Sequence, residues 1–79
     1  MKLENLVLMS NQIGEFFESM PDRKQAVLDV ALHLTRFWAP TMRTQLLDGF
    51  DNGQATNLRD IVREALVAHV NMLKSQAPG

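Results

Sequence analysis

The sequence contains no cysteine, no block of like charge and no long apolar run, and each absence excludes a class of protein. Without cysteine the chain can have no disulfide, no thiolate metal ligand and no cysteine-held iron–sulfur cluster. Eight Lys and Arg residues stand against nine Asp and Glu residues without forming a run, so the clustered basic field used to bind nucleic acid is missing. No apolar stretch approaches the length that spans a bilayer.

The first twelve residues, MKLENLVLMSNQ, lack the uninterrupted apolar region of a signal peptide, because Glu4 and Asn5 stand among the leucines. We therefore expect a cytoplasmic protein with no membrane association and no nucleic-acid partner. At 79 residues the chain has room for one domain, residues 1–79. A chain this short buries only about 60% of the surface that it exposes when unfolded, so its expected stability is modest.

Hydrophobic periodicity predicts an all-α fold, a small bundle of three long helices and one short helix. From Leu3 to Met20, for example, apolar residues recur at helical intervals. The predicted helices cover approximately residues 2–20, 22–38, 40–48 and 58–74. The sequence also predicts a flexible loop over residues 49–57 and a frayed tail over residues 75–79.

Capping residues predict where these helices begin and end. Asp22 is a favoured N-cap type for the second helix, and Pro40 suits the first position of the third. Gly49 is the expected stop of the third helix. Asn57, with Asp60 three residues later, resembles a capping box for the last helix.

The two histidines do not indicate a catalytic or metal site. Asp29, His33 and Arg36 share one face of the second helix, a spacing that can form an Asp–His pair but is more typical of a solvated polar stripe. His69 lies on the apolar face of the last helix, where a core or core-edge position is expected. Because no nucleophile or pocket accompanies them, we predict no catalytic residue, no metal site, no bound cofactor and no enzymatic activity.

The second helix carries a wider apolar surface than a helix with one buried side needs. Its apolar residues cover about two thirds of the circumference, against a stripe of roughly 100° for an ordinary surface helix. The helix is therefore expected either to lie centrally in the bundle or to face a partner. These apolar residues are Val27, Leu28, Val30, Ala31, Leu34, Phe37 and Trp38.

The segment HLTRFWAPTMRTQLL, residues 33–47, is the candidate partner-binding corner. Trp and Arg are enriched at interface hot spots, and burying a Phe or Trp side chain stabilises by roughly 1.5–3 kcal/mol. Arg43 lies in the apolar arc of the third helix, where its stem can cover the core or its guanidinium can reach a carboxylate of a partner. The predicted partner-binding residues are Arg36, Phe37, Trp38, Pro40, Met42, Arg43 and Leu46.

Three segments resemble the delta subunit of the NAD-dependent, molybdenum-containing formate dehydrogenases. They are NQIGEFF (11–17), HLTRFWAPTMRTQLL (33–47) and LRDIVREAL (58–66), and together the resemblance covers nearly the whole chain. The loop DGFDNGQATN carries no residue-by-residue correspondence. The most specific element is the order of His33, Phe37, Trp38, Pro40, Met42, Arg43, Leu46 and Leu47.

The resemblance implies a non-catalytic accessory subunit. In such complexes formate is oxidised at a molybdopterin centre in a large alpha subunit, and electrons pass through iron–sulfur clusters and flavin to NAD in other chains. The implied partner is this large catalytic subunit, and the implied role is assembly, molybdenum cofactor loading or stability. The residues alone leave an alternative open, a regulatory or structural homodimer in which the wide face of the second helix pairs with its own copy.

Overall fold

The computed structural model describes residues 1–75, and in that range the chain forms helices and no strand. The helices are α1 (Leu3–Phe17), α2 (Arg23–Phe37), α3 (Pro40–Asp51), α4 (Asp60–Ala68) and α5 (Val70–Lys74). The all-α class is therefore confirmed, whereas the predicted helix count was wrong by one. Within residues 1–75, none of these helices is both long and apolar enough to cross a bilayer.

The signals for the start of the second and third helices are confirmed. The Asp22 carboxylate accepts a hydrogen bond from the backbone N–H of Gln25 at 3.2 Å, and Pro40 is the first residue of α3. By contrast, α1 ends before the predicted residue 20. The chain turns there, with the backbone N–H of Met20 bonded to the carbonyl oxygen of Phe17 at 3.0 Å.

The predicted stop at Gly49 was wrong, since α3 continues to Asp51. Gly49 lies inside the helix against the side chain of Leu3, where an added Cβ would stand 2.6 Å from Leu3 Cδ2. The left-handed backbone comes later, at Gly53, with a φ of 80°. The connection to α4 therefore spans residues 52–59 instead of 49–57.

The capping box expected at Asn57 and Asp60 does not form. Arg59 is the N-cap residue of α4, and its own side chain makes no capping hydrogen bond. The cap comes instead from α1, where Asn11 Oδ1 accepts from the Arg59 N–H at 2.9 Å and Asn11 Nδ2 donates to the Asn57 carbonyl oxygen at 2.8 Å. Asn57 takes a left-handed φ of 65°, which asparagine tolerates better than most residues.

The predicted helix over residues 58–74 is divided at His69, which has φ −122° and ψ 31°. No proline or glycine stands at this position. The bend lets α4 pack against α1 and α2 while α5 packs against α3 and α2. Of the predicted tail, Ser75 has an extended backbone, and residues 76–79 lie outside the described residues.

The central helix is α2, which contacts all four of the others. Its wide apolar surface is therefore largely buried within the bundle. Phe37 is the exception, with 72% of its surface exposed. The largest fully buried side chains are Leu6, Leu34, Leu46, Ile61, Leu66, Leu73, Val30, Val62 and Ser10.

Candidate protein-binding site

Four rings from α1 and α2 form one continuous aromatic surface. Phe16 contacts Phe17 edge-on with ring centroids 5.0 Å apart, and Phe17 lies 6.2 Å from His33. His33 in turn lies 4.7 Å from Phe37. The two end rings, Phe16 and Phe37, are 75% and 72% exposed. Clustered apolar exposure of this kind marks an interaction site more often than isolated exposed residues do.

Helix geometry accounts for this arrangement. Phe16 and Phe17 are adjacent in the last turn of α1, so their side chains point about 100° apart; Phe17 packs against the core, whereas Phe16 is exposed. His33 and Phe37 are one turn apart in α2 and therefore share a face. The contact between Phe17 and His33 joins the two pairs.

Three of these rings, Phe16, Phe17 and His33, border an open cleft of about 450 Å³, which we call the aromatic cleft. Trp38 is only 6% exposed and forms part of its wall from within the core. Most of the lining is apolar, so the cleft suits an apolar side chain of a partner. The lining residues are Met9, Gln12, Ile13, Phe16, Phe17, His33 and Trp38.

The expected polar stripe on α2 is only partly polar. The Asp29 carboxylate accepts a hydrogen bond from Gln25 Nε2 at 2.9 Å, and within residues 1–75 it makes no hydrogen bond with His33. The His33 imidazole packs between the rings of Phe17 and Phe37 instead. Arg36 is exposed and immediately precedes Phe37 in α2. His33 therefore belongs to the aromatic surface and lacks the carboxylate partner of a catalytic pair.

Arg43 is almost fully buried, with 2% of its surface exposed. Its Nη1 donates to the Thr35 carbonyl oxygen at 3.4 Å near the end of α2, and its Nη2 donates to the Ser75 carbonyl oxygen at 3.0 Å after α5. The Nε atom is buried without a hydrogen-bond partner among residues 1–75. A cation is favourable at helix C-termini. The guanidinium thus joins three helices and is not presented to a partner in this conformation.

The remaining residues of the predicted corner also lie mostly away from the cleft. Leu46 is in the core with 1% of its surface exposed, and Met42 packs against the core from a half-buried position. Pro40 is half-buried in a separate shallow depression of the surface. Of the predicted set, the structure brings only Phe37 and Trp38 to the aromatic surface and its cleft.

Two ion pairs join α4 to its neighbours at the surface. The hydrogen bonds from Arg59 hold the pKa of Glu18 below its ordinary value of 4.5, and those from Arg23 do the same for the pKa of Glu64. Both pairs are half-exposed. Among residues 1–75, no group of three or more His, Asp and Glu side chains is placed to hold a metal ion. These two ion pairs therefore join α4 to α1 and α2.

Residues 5–66 match the family model described as NADH-dependant formate dehydrogenase delta subunit FdsD. The chain belongs to this family. The resemblance indicated by the three sequence segments is thus confirmed, and the matched range contains every residue of the aromatic cleft. Neither a curated protein nor a solved structure matches the chain.

Two aromatic residues of this delta subunit were missed as site candidates, Phe16 and Phe17. Phe17 follows Ile13 by four residues and so lies on the apolar face of the helical period, whereas the adjacent Phe16 falls outside that face. Adjacent phenylalanines at the edge of an apolar stripe are a usable signal, because the second ring extends the apolar surface beyond that stripe.

Proposed function

We propose that this chain is a non-catalytic accessory subunit that binds the large catalytic subunit of an NAD-dependent formate dehydrogenase in the cytoplasm. The observation that carries the proposal is the exposure of Phe16 and Phe37 at the two ends of one aromatic surface. Covering each ring would contribute roughly 1.5–3 kcal/mol, and aromatic anchors dominate many interfaces. Membership of the delta subunit family supports the choice of partner.

The predicted corner contributes to this surface in two ways. Phe37 and the exposed Arg36 contact the partner directly, with the Arg36 guanidinium available to a carboxylate in bidentate geometry. Trp38, Arg43 and Leu46 act from beneath, because their packing and hydrogen bonds hold the end of α2 in place. A surface fixed in this way loses little conformational entropy on binding.

Copurification of the catalytic subunit with tagged variants of this chain tests the docking surface. Phe37→Glu should abolish copurification, because it places a charge where an apolar contact is expected. Leu8→Glu is the matched control, since Leu8 is 59% exposed on α1 but is not one of the four rings of the aromatic surface. Equal recovery of the catalytic subunit with both folded variants would exclude the aromatic surface.

Docking is proposed to support assembly, molybdenum cofactor loading or stability of the enzyme. The catalytic subunit can be purified from cells with and without this chain and its molybdenum content and activity measured. A lower molybdenum content without the chain supports a loading role. Normal loading followed by faster thermal loss of activity supports a stabilising role. No change in assembly, loading or stability contradicts the accessory function.

Self-association is the second candidate, because the exposed Phe16 and Phe37 could equally be covered by another copy. Light scattering of the isolated chain over a dilution series separates the two functions. A monomer is expected if the surface serves the catalytic subunit. A dimer that survives dilution and dissociates in Phe37→Glu supports the homodimer instead.

A further inference from the structure

Asn52 is the one asparagine of the sequence that is followed by glycine; the others, which precede larger residues, are Asn5, Asn11, Asn57 and Asn71. In an asparagine–glycine pair the backbone nitrogen of the glycine reaches the side-chain amide most easily, because glycine has no Cβ to obstruct the approach. We propose that Asn52 is a site of spontaneous deamidation in the folded chain and that the product loosens the C-terminal end of α3.

The reaction needs water as its only co-reactant. The Gly53 backbone nitrogen, after losing its proton to solvent, attacks Cγ of Asn52. A bond forms between these two atoms, the bond from Cγ to Nδ2 breaks, and Nδ2 takes a proton from solvent and leaves as ammonia. Water then opens the resulting cyclic imide at either carbonyl carbon, which yields aspartate or isoaspartate at this position.

The structure leaves this pair accessible. Asn52 is the C-cap residue of α3, and both it and Gly53 are exposed. Gly53 has a φ of 80°, and, its chain neighbours aside, no atom of residues 1–75 lies within 4 Å of the place that a Cβ would take. Its N–H donates to the Phe50 carbonyl oxygen at 3.3 Å, longer than the usual distance of about 2.9–3.0 Å, so the attacking nitrogen is weakly held.

The side-chain carbonyl of Asn52 already accepts a hydrogen bond from the main chain. Its Oδ1 atom accepts from the Gln54 N–H at 3.0 Å, and this N–H also donates to the Gly49 carbonyl oxygen at 2.8 Å. Negative charge develops on Oδ1 when the Gly53 nitrogen attacks Cγ. A donor aimed at such an oxygen lowers the barrier, so the turn favours the reaction.

The pair Asp48–Gly49 has a similar sequence signal but a different environment. Aspartate before glycine can form the same cyclic imide by losing water. Both residues lie inside α3, where helical hydrogen bonding fixes the backbone, and Gly49 is buried against the side chain of Leu3. We therefore expect Asp48 to remain unchanged as long as the chain is folded.

Deamidation of Asn52 adds a negative charge where α3 ends. Asp51 already lies in the last turn, and a further carboxylate there opposes the helix dipole. Isoaspartate also lengthens the main chain, which displaces the N–H groups of Gln54 and Ala55 from the Gly49 carbonyl oxygen that both of them reach at 2.8 Å. None of these residues belongs to the aromatic surface, so the inference does not depend on the proposed function.

Peptide mapping by mass spectrometry tests the site on the full chain, held folded in mildly alkaline buffer for several days. Asn52 should convert to a mixture of aspartate and isoaspartate at least about tenfold faster than any other asparagine. Asn57 is the sharpest internal control, because it is exposed in the same connection but precedes the buried Leu58. Asp48 should form isoaspartate only in chain unfolded with urea.

Three variants complete the test. Gly53→Ala should keep native helicity by circular dichroism and slow conversion of Asn52 about tenfold. Asn52→Asp should melt at a lower temperature than wild type. Asn57→Asp, which adds the same charge near the start of α4, should not. The inference is overturned if another asparagine converts first, if Asn52 converts only in urea, if Gly53→Ala leaves the rate unchanged, or if Asn52→Asp melts at the wild-type temperature.

Discussion

The guanidinium of Arg43 donates a hydrogen bond from Nη2 to the carbonyl oxygen of Ser75 at 3.0 Å. The bond connects the first turn of α3 to the residue that ends α5, while Nη1 reaches Thr35 in the last turns of α2. One buried side chain therefore holds together three helix ends. This buried position explains why an arginine lies among the apolar residues on the inward face of α3.

Replacement of Arg43 by glutamate should destabilise the free chain. Each hydrogen bond from a charged donor contributes about 1.5–3 kcal/mol, and the new carboxylate would face carbonyl oxygens in a buried site. We expect the free energy of unfolding to fall by about 3 kcal/mol or more in urea titrations followed by circular dichroism. Arg43→Met, which removes the charge without reversing it, should cost less. An unchanged urea midpoint for Arg43→Glu would show that the two bonds contribute nothing.

Replacement of Gly14 by alanine should destabilise the contact between α1 and α4. An added Cβ would stand 2.8 Å from Val62 Cγ2 and 2.9 Å from Ile61 Cγ2, and both side chains are fully buried and β-branched. Overpacking of about 1–3 kcal/mol exceeds the gain of about 1 kcal/mol in helix propensity, so thermal unfolding should occur at lower temperature.

The matched control is Gly49→Ala. Its Cβ would meet the methyl groups of the half-buried Leu3, which can rotate away. Stability should therefore stay unchanged or rise by up to about 1 kcal/mol. If both alanine variants unfold at the same temperature, the prediction is wrong, and the close approach of α4 to Gly14 leaves room for a methyl group.

Asn11 on α1 should stabilise the start of α4, although the two are far apart along the chain. Asn11→Ala removes both the cap on the Arg59 N–H and the bond to the Asn57 carbonyl oxygen, at an expected cost of about 1–3 kcal/mol. Asn11→Asp keeps an acceptor for the Arg59 N–H and should cost less. Hydrogen exchange at the Arg59 amide reports the cap directly. Equal exchange in wild type and Asn11→Ala would contradict it.

Stability should decline in acid through the two ion pairs of α4. The pKa values of Glu18 and Glu64 are lower in the folded chain than the ordinary value of 4.5. Their contribution is therefore complete above that ordinary value and is lost as the pH falls through the lowered pKa values. The pairs are half-exposed, so the expected effect is small. Between neutral and acid pH, the melting temperature should fall less steeply for the double variant Glu18→Gln/Glu64→Gln than for wild type. The same dependence of melting temperature on pH in both proteins would contradict a stabilising role of the two ion pairs.

Local signals predicted the parts of the fold that depend on neighbouring residues. Asp22 caps α2 and Pro40 begins α3, as their residue types indicate. The bend at His69 carries no local signal, because it follows from packing of α4 and α5 on different helices.

The cap of α4 and the burial of Arg43 could not be predicted from local sequence. Asn11 and Arg59 are 48 positions apart, and Arg43 and Ser75 are 32 positions apart. Both contacts exist only once the helices have packed. The candidate site has the same origin, because the aromatic surface joins Phe17 of α1 to His33 of α2.

Affinity of the isolated catalytic subunit for the Phe16→Glu/Phe37→Glu double variant tests the role of the aromatic surface most directly. Wild type, the double variant and Leu8→Glu should first show equal helicity, because all three positions are exposed. Titration calorimetry should then give an affinity about a hundredfold lower for the double variant, as expected for two hot-spot residues, and an unchanged affinity for Leu8→Glu. A folded double variant that binds the catalytic subunit as tightly as wild type would contradict docking through this surface.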